Sequence, residues 1–303
     1  MPNVLIAGGS GLIGSRLSEL LKARGYNVGH LSRRVRTDTL YPTYQWDIRN
    51  NKVDPAAFSQ ADYVINLAGE SVAGGWWTPK RKKAIIESRV NSARLLREAM
   101  IAAPHLPKAY LSSAAMGYYG DRGDQWLIES DGAGEGFLSE SCAAWEKAIG
   151  EVAATGIRTA AFRIGLVLSS RGGALQKMLW SLYLFVAPYF GNGRQWYSWV
   201  HIDDICRFFI HAIENEAVQG IYNGSAPVPV TNRDFVKSLH KVYRKPSIML
   251  PVPAFALRMV LGEMADVVLM STRLSADKIK KTGFNFLYDQ LEPALEDILF
   301  QKK

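Results

Sequence analysis

The seven residues Gly8-Gly9-Ser10-Gly11-Leu12-Ile13-Gly14 constrain the fold more than any other stretch of this chain. They follow the apolar run Val4-Leu5-Ile6-Ala7 and precede an amphipathic segment, Ser15 to Ala23, an order that reads as strand, glycine turn and helix. Gly9, Gly11 and Gly14 have the spacing G-x-G-x-x-G. In that pattern one glycine permits a tight turn, one lets backbone amides approach a diphosphate, and one lets the helix pack on the strand. The unbonded N–H groups of the helix start favour an anion at the same place. A plain turn would account for one glycine, not four, so the pattern predicts a dinucleotide site.

The second strand, Tyr26 to Leu31, ends about 20 residues beyond the glycines, where an NAD site places a carboxylate on the ribose 2′-hydroxyl. Here the chain reads Ser32-Arg33-Arg34, with Arg36 just beyond and no carboxylate before Asp38. Guanidinium groups stay charged and donate in a planar fork, which suits a 2′-phosphate. NADP(H) is therefore favoured over NAD(H). A solvated basic turn is the alternative reading of the same residues.

Several function classes are excluded by composition and pattern. The longest apolar region, Met178 to Phe190, is about 13 residues, interrupted by Ser181 and Pro188, against roughly 20 for a membrane span. The first residues begin a strand without a basic, then apolar, leader, which predicts a cytoplasmic protein. Cys142 and Cys206 have no metal or redox spacing and are expected to be buried thiols. A net charge of +8 is concentrated in Lys80-Arg81-Lys82-Lys83, Arg89, Arg94 and Arg97. Their roughly helical spacing, without interleaved aromatics, predicts a solvated helix face and no nucleic-acid partner. His201-x-Asp203-Asp204 suggests a metal only superficially. It straddles a strand-to-helix junction, where Asp203 and Asp204 are expected to cap a helix from Ile205 to Glu214, and no other ligand cluster accompanies it.

Strand-like runs at Val4–Ala7, Tyr26–Leu31, Tyr63–Leu67, Ala109–Ser113 and Arg158–Leu168 alternate with helical periods near Gly14–Arg24, Thr78–Ala102 and Ser139–Thr155. Such alternation predicts an α/β, Rossmann-type, doubly wound parallel sheet. Residues 1–168 form the expected NADP-binding domain, with 199–224 packing back on it. Residues 169–303 form a smaller substrate or cap region that includes a C-terminal helical module, 250–300.

Asn66-Leu67-Ala68-Gly69, Ser112-Ser113-Ala114-Ala115-Met116-Gly117-Tyr118-Tyr119-Gly120, Arg163-Ile164-Gly165 and Trp199-Val200-His201-Ile202-Asp203-Asp204 follow the glycine turn in order. Together they resemble the extended short-chain dehydrogenase/reductase superfamily of NAD(P)-dependent epimerases and dehydratases. Ala68-Gly69-Glu70, Trp77-Thr78, Glu87-Ser88-Arg89 and Gly117 to Asp121 are closest to its atypical branch, the epimerase family proteins. Pro251 to Leu299 looks like that branch's C-terminal module of unknown function. The resemblance implies that Gly8, Ser10, Gly11, Leu12 and Ile13 hold the diphosphate, and that Ser32, Arg33 and Arg34 hold the adenosine side. It implies Asp47 and Ile48 beside the adenine, and Leu67, Ala68, Gly69 and Glu70 along the ribose and linker. Ser112 and Ser113 would lie near the nicotinamide, with Arg163 and Gly165 beyond. A homodimer through the helices near 78–102 and 139–155 is suggested by analogy alone.

The superfamily's proton relay is a tyrosine followed four residues later by a lysine on one helix face. None of the 13 tyrosines here has lysine at that offset. The resemblance puts Leu138 and Cys142 at the two positions. Ser113 with Tyr118 or Tyr119 is the candidate catalytic group, Glu70 a candidate base, and Lys147 lies near the right helix. Each has a structural alternative: tyrosines cap apolar pockets, and Glu70 could pair with Arg89 or Arg81. Trp76, Trp77, Trp196, Tyr197 and Trp199 are either an aromatic substrate wall or packing. The reading is an NADP(H)-dependent enzyme for a small carbonyl or hydroxyl substrate. The alternative is a non-catalytic NADP(H)-binding sensor or scaffold.

Overall fold

The computed structural model describes residues 1–35, 39–244 and 246–300. Arg36 and Asp38, named above, lie outside the described residues. The first six strands are β1 (Asn3–Ala7), β2 (Asn27–Ser32), β3 (Thr43–Asp47), β4 (Lys52–Val53), β5 (Tyr63–Asn66) and β6 (Ala109–Ala115). Strands Thr159–Ile164 and Gly220–Gly224 complete an eight-stranded sheet, ordered Gly220–Gly224, Thr159–Ile164, β6, β5, β1, β2, β3, β4. Every pairing is parallel except the hairpin of β4 on β3. Strand order reverses between β1 and β5, and ligands bind such sheets at the carboxyl ends beside that crevice.

Period-two alternation builds the two faces. Val4 and Ile6 of β1, Ile65 of β5 and Leu111 of β6 point into one core. It is covered by α1 (Leu12–Ala23) and, later in the chain, by the helix Ile202–Glu214. Leu5 and Ala7, Val64 and Tyr110 point the other way. They meet α2 (Pro79–Ala102) and α3 (Phe137–Ala153), which bring Leu95, Leu96, Trp145 and Ile149. Each fully buried side chain of this size contributes about 1.5–3 kcal/mol. Helix α2 starts where Thr78 accepts the Arg81 N–H and Pro79 cannot donate.

The expected strand Arg158–Leu168 is two strands. At Gly165 a Cβ would stand 2.3 Å from the Ser198 carbonyl oxygen, so the chain leaves the sheet there. Leu166–Leu168 then pairs in parallel with Trp199–His201. The apolar stretch after it forms α4 (Gly173–Tyr183) and the strand Val186–Phe190, which pairs with Ile248–Val252. These pack with α6 (Asn232–Tyr243) and the C-terminal helix Leu291–Phe300 around a third core containing Trp199 and Phe235.

The helix after Trp199–His201 is α5 (Ile202–Glu214), and its cap is His201, not the aspartates. His201 Nδ1 accepts the Asp203 N–H. Asp203 instead binds Arg16 of α1, and buried Asp204 accepts the N–H groups of Leu287 and Tyr288. His30, His201 and His211 all have their pKa values lowered, chiefly by burial. Their unfolded forms bind protons more readily than their folded forms, so stability rises with pH through the ordinary histidine range. The melting temperature should therefore fall between about pH 7.5 and about pH 5.5, followed by circular dichroism. A flat profile would contradict this account of the three rings. Among the described residues no helix is long and apolar enough to cross a membrane, and no group of three metal-ligating side chains converges.

Candidate functional site

The glycine turn lies at the carboxyl end of β1, over the crevice. Gly8 has φ +83°, and a Cβ there would lie 2.8 Å from the Leu67 carbonyl carbon and oxygen. The loops after β1 and β5 thus touch through backbone. The Gly8 carbonyl accepts the Gly11 N–H at 3.0 Å, closing the turn. Helix α1 starts at Leu12 with no side-chain cap on Gly11 and no acidic residue in its first turn. Its first N–H groups and its partial positive charge therefore face the crevice uncompensated. His30 sits beneath the turn: a Cβ on Gly9 would lie 2.4 Å from its ring, and its Nε2 is 2.8 Å from Ser18 Oγ. The sequence reading missed His30, although alternation along β2 places it on the α1 face.

At the end of β2, Ser32 Oγ accepts the Arg34 N–H at 3.3 Å. Arg33 and Arg34 are exposed and, among the described residues, form no ion pair. Asp47 closes its own turn by accepting from Arg49 and Asn50, which holds its pKa below the usual range, with Ile48 half-buried beside it. Ala68 donates its N–H to Asn66 Oδ1, Gly69 is exposed, and Glu70 is 3.6 Å from Arg81. The structural alternative for Glu70 is thus the one seen.

Across from Gly69 stands Arg89 of α2, whose guanidinium carbon would be 3.2 Å from a Cβ on Gly69. It lies over the Trp145 ring at 5.1 Å and donates to the Ile85 carbonyl. Burial lowers its pKa, an effect that Cys142 and Glu70 oppose in part. In the sequence, Arg89 reads as part of a basic face, as a pairing partner for Glu70 and as one residue of a branch motif, with no role at the site. Its membership of Glu87-Ser88-Arg89 was the available signal.

The predicted catalytic residues separate. Ser113 lies two residues before the end of β6, with its hydroxyl donating to the Asn66 carbonyl at 3.2 Å. Ser112 is fully buried and donates to the Ser113 carbonyl. Tyr118 is half-buried, with its ring 3.7 Å from the Arg163 guanidinium carbon. Tyr119 is fully buried: its hydroxyl donates to Asn223 Oδ1 at 2.7 Å and accepts from Arg163. Burial pushes its pKa up to about 12. Its hydroxyl is thus engaged by protein partners, the Ile128 carbonyl among them. Arg163 is held by protein partners in the same way. It is 3% exposed and makes a bidentate pair with Glu146, 2.8 Å for each bond. Burial alone would lower its pKa, but Glu146 more than offsets this. Gly165 owes its lack of a side chain to the Ser198 backbone.

Leu138 and Cys142 pack against Gly117 on α3, and burial pushes the Cys142 thiol up to about 12. The five aromatics also divide. Trp199 and Tyr197 are core residues that donate to the Val228 and Val268 carbonyls. Trp196 stacks on Arg273 at 3.9 Å, and Trp77 stands edge-on to Phe137. Trp76 is exposed and flanks Gly262.

Known proteins share this architecture and its order of motifs. The pattern of the NAD dependent epimerase/dehydratase family matches residues 4–223. The chain belongs to that family. A domain of unknown function, DUF1731, matches residues 252–298. Epimerase family protein YfhF of Bacillus subtilis is 34% identical over 99% of both chains. The crystal structure of human epimerase family protein SDR39U1 (isoform 2) with NADPH superimposes with a TM-score of 0.88 at 28% identity, covering 99% of this chain and 100% of the other. A nucleoside-diphosphate sugar epimerase from Corynebacterium glutamicum gives a TM-score of 0.79 at 30% identity, covering 99% of this chain but 58% of that one.

Proposed function

We propose that this family member is a cytoplasmic, homodimeric, NADP(H)-dependent oxidoreductase or epimerase-like enzyme for a small carbonyl or hydroxyl substrate, working without a Tyr-x-x-x-Lys relay. The observation that carries the reading is the uncapped start of α1 at the crevice, with exposed Arg33 and Arg34 at the end of β2. Gly8 to Ile13 supply backbone donors to the diphosphate. Ser32, Arg33 and Arg34 receive the 2′-phosphate, Asp47 and Ile48 flank the adenine, and Leu67 to Gly69 run along the linker. The bound nicotinamide supplies or accepts the hydride. Arg89, facing Gly69 beside Cys142, provides a fixed positive charge on the side where the relay lysine stands in relatives. Ser113, near the carboxyl end of β6, orients the substrate oxygen, and Tyr118 borders it.

The second reading, a non-catalytic NADP(H)-binding sensor or scaffold, is favoured by the leucine and buried thiol on α3. The loss of reduced-nicotinamide absorbance on mixing with a panel of carbonyls and nucleotide sugars separates the two. Turnover that falls at least about tenfold in Ser113→Ala supports the enzyme. Tight NADPH binding with no turnover across the panel supports the sensor.

A further inference from the structure

Away from the crevice, aromatic and aliphatic side chains around the end of α4 form an exposed apolar face. Trp180 and Tyr183 of α4, then Leu184 and Phe185, are 70%, 61%, 75% and 59% exposed. Ile248 and Leu250, on the same side of their strand, are also exposed. Backbone joins the two groups, since Ile248 donates its N–H to the Phe185 carbonyl at 2.9 Å. Tyr183 meets Tyr243, the last residue of α6, edge-on at 5.7 Å. Phe185 has φ +60°, a left-handed conformation that a bulky side chain adopts only at a cost. The chain accepts that strain at the tip of a turn while pointing an aromatic ring into solvent.

Charge identifies the occupant. The two segments that build this face, 173–202 and 235–262, contain no Asp or Glu at all. Lys237, Lys241 and Arg244 recur along α6 toward Tyr243, and Lys177 lies on α4 one turn before Trp180. Glu292 of the C-terminal helix pairs with Lys241. Lys177, Lys237 and Arg244 form no ion pair among the described residues. A second copy seated on this same face would set its uncompensated cations against their own kind, whatever dimer forms elsewhere. Anionic lipid headgroups would complement the cations, while the aromatic and aliphatic groups reach the acyl boundary.

We propose that this face docks the protein peripherally on an anionic phospholipid surface, with Leu184 and Phe185 at the leading edge. The Met178 to Phe190 stretch is too short to span a bilayer; Leu182 and Ala187 anchor it in the third core, while its exposed Trp180, Tyr183, Leu184 and Phe185 would lie on the lipid surface.

The test is sedimentation of the full chain with phosphatidylcholine vesicles, with and without about one third phosphatidylglycerol. Binding at least about tenfold stronger to the anionic vesicles, weakened by salt, is expected. Phe185→Gly suits the left-handed turn and should fold at least as well as the parent, yet Leu184→Ser/Phe185→Gly should lose about tenfold in vesicle binding. Lys177→Glu/Arg244→Glu should lose the preference for phosphatidylglycerol. Absence of sedimentation with anionic vesicles, or full binding by the Leu184/Phe185 variant with its melting curve intact, would overturn the proposal. So would an oligomer, seen by light scattering, that the same variant dissolves, because the face would then belong to a second copy.

Discussion

Gly14→Ala is expected to weaken NADPH binding by about 100-fold or more and to cost ~1–3 kcal/mol of stability. The added Cβ would lie 2.3 Å from the Gly8 carbonyl oxygen and 2.8 Å from Gly9 Cα. Both neighbours are backbone, so no side chain can swing aside. Relief requires the first turn of α1 to lift off the glycine turn by about 1 Å, which carries the phosphate-facing N–H groups out of hydrogen-bond range. Gly150→Ala is the matched control. Gly150 is exposed on α3 and a Cβ there meets nothing within 4 Å. That substitution should stabilise by about 0.5–1 kcal/mol through helix propensity and leave NADPH binding alone. Denaturant unfolding and a fluorescence titration read both effects. Normal NADPH affinity in Gly14→Ala would contradict the placement of the diphosphate.

The second large effect belongs to Arg163. Replacing it by methionine should destabilise the fold by about 3–5 kcal/mol, because both carboxyl oxygens of Glu146 would lose their Arg163 bonds in a largely desolvated position. Tyr119 and the Glu129 carbonyl would lose a donor at the same time. The double variant Arg163→Met/Glu146→Leu should recover much of the loss, since two apolar side chains of similar volume leave no buried charge. NADPH affinity of the folded protein should be unchanged in that double variant. A stable Arg163→Met with weakened NADPH binding would show instead that the guanidinium faces the cofactor.

The parts of the site that were legible in the sequence are those fixed by backbone geometry. Glycine spacing records where carbonyls and helix starts must approach, so the turn, β1, α1 and the end of β2 could be placed from residues alone. Arg163 could not. Its position near the carboxyl end of a buried strand looks like a crevice edge, and its partner Glu146 is brought to it only by the packing of α3 on the sheet. The partners of Tyr119 are hidden for the same reason, because Asn223 reaches it from a strand 104 residues away. That strand, Gly-Ile-Tyr-Asn-Gly at 220–224, is not among the strand-like runs of the sequence and forms by pairing with Thr159–Ile164. At Asp203 and Asp204 a common capping pattern was outweighed by tertiary partners, Arg16 for one and the backbone at Leu287 and Tyr288 for the other.

Isothermal titration of the purified protein with NADPH and with NADH tests the central claim most directly, carried out alongside Arg33→Ala/Arg34→Ala. NADPH should bind about 10–100-fold more tightly than NADH, the worth of one or two charge-assisted bonds to the 2′-phosphate, and the double variant should erase the difference. Equal affinity for the two coenzymes in the parent protein, or no heat from either, would contradict the account.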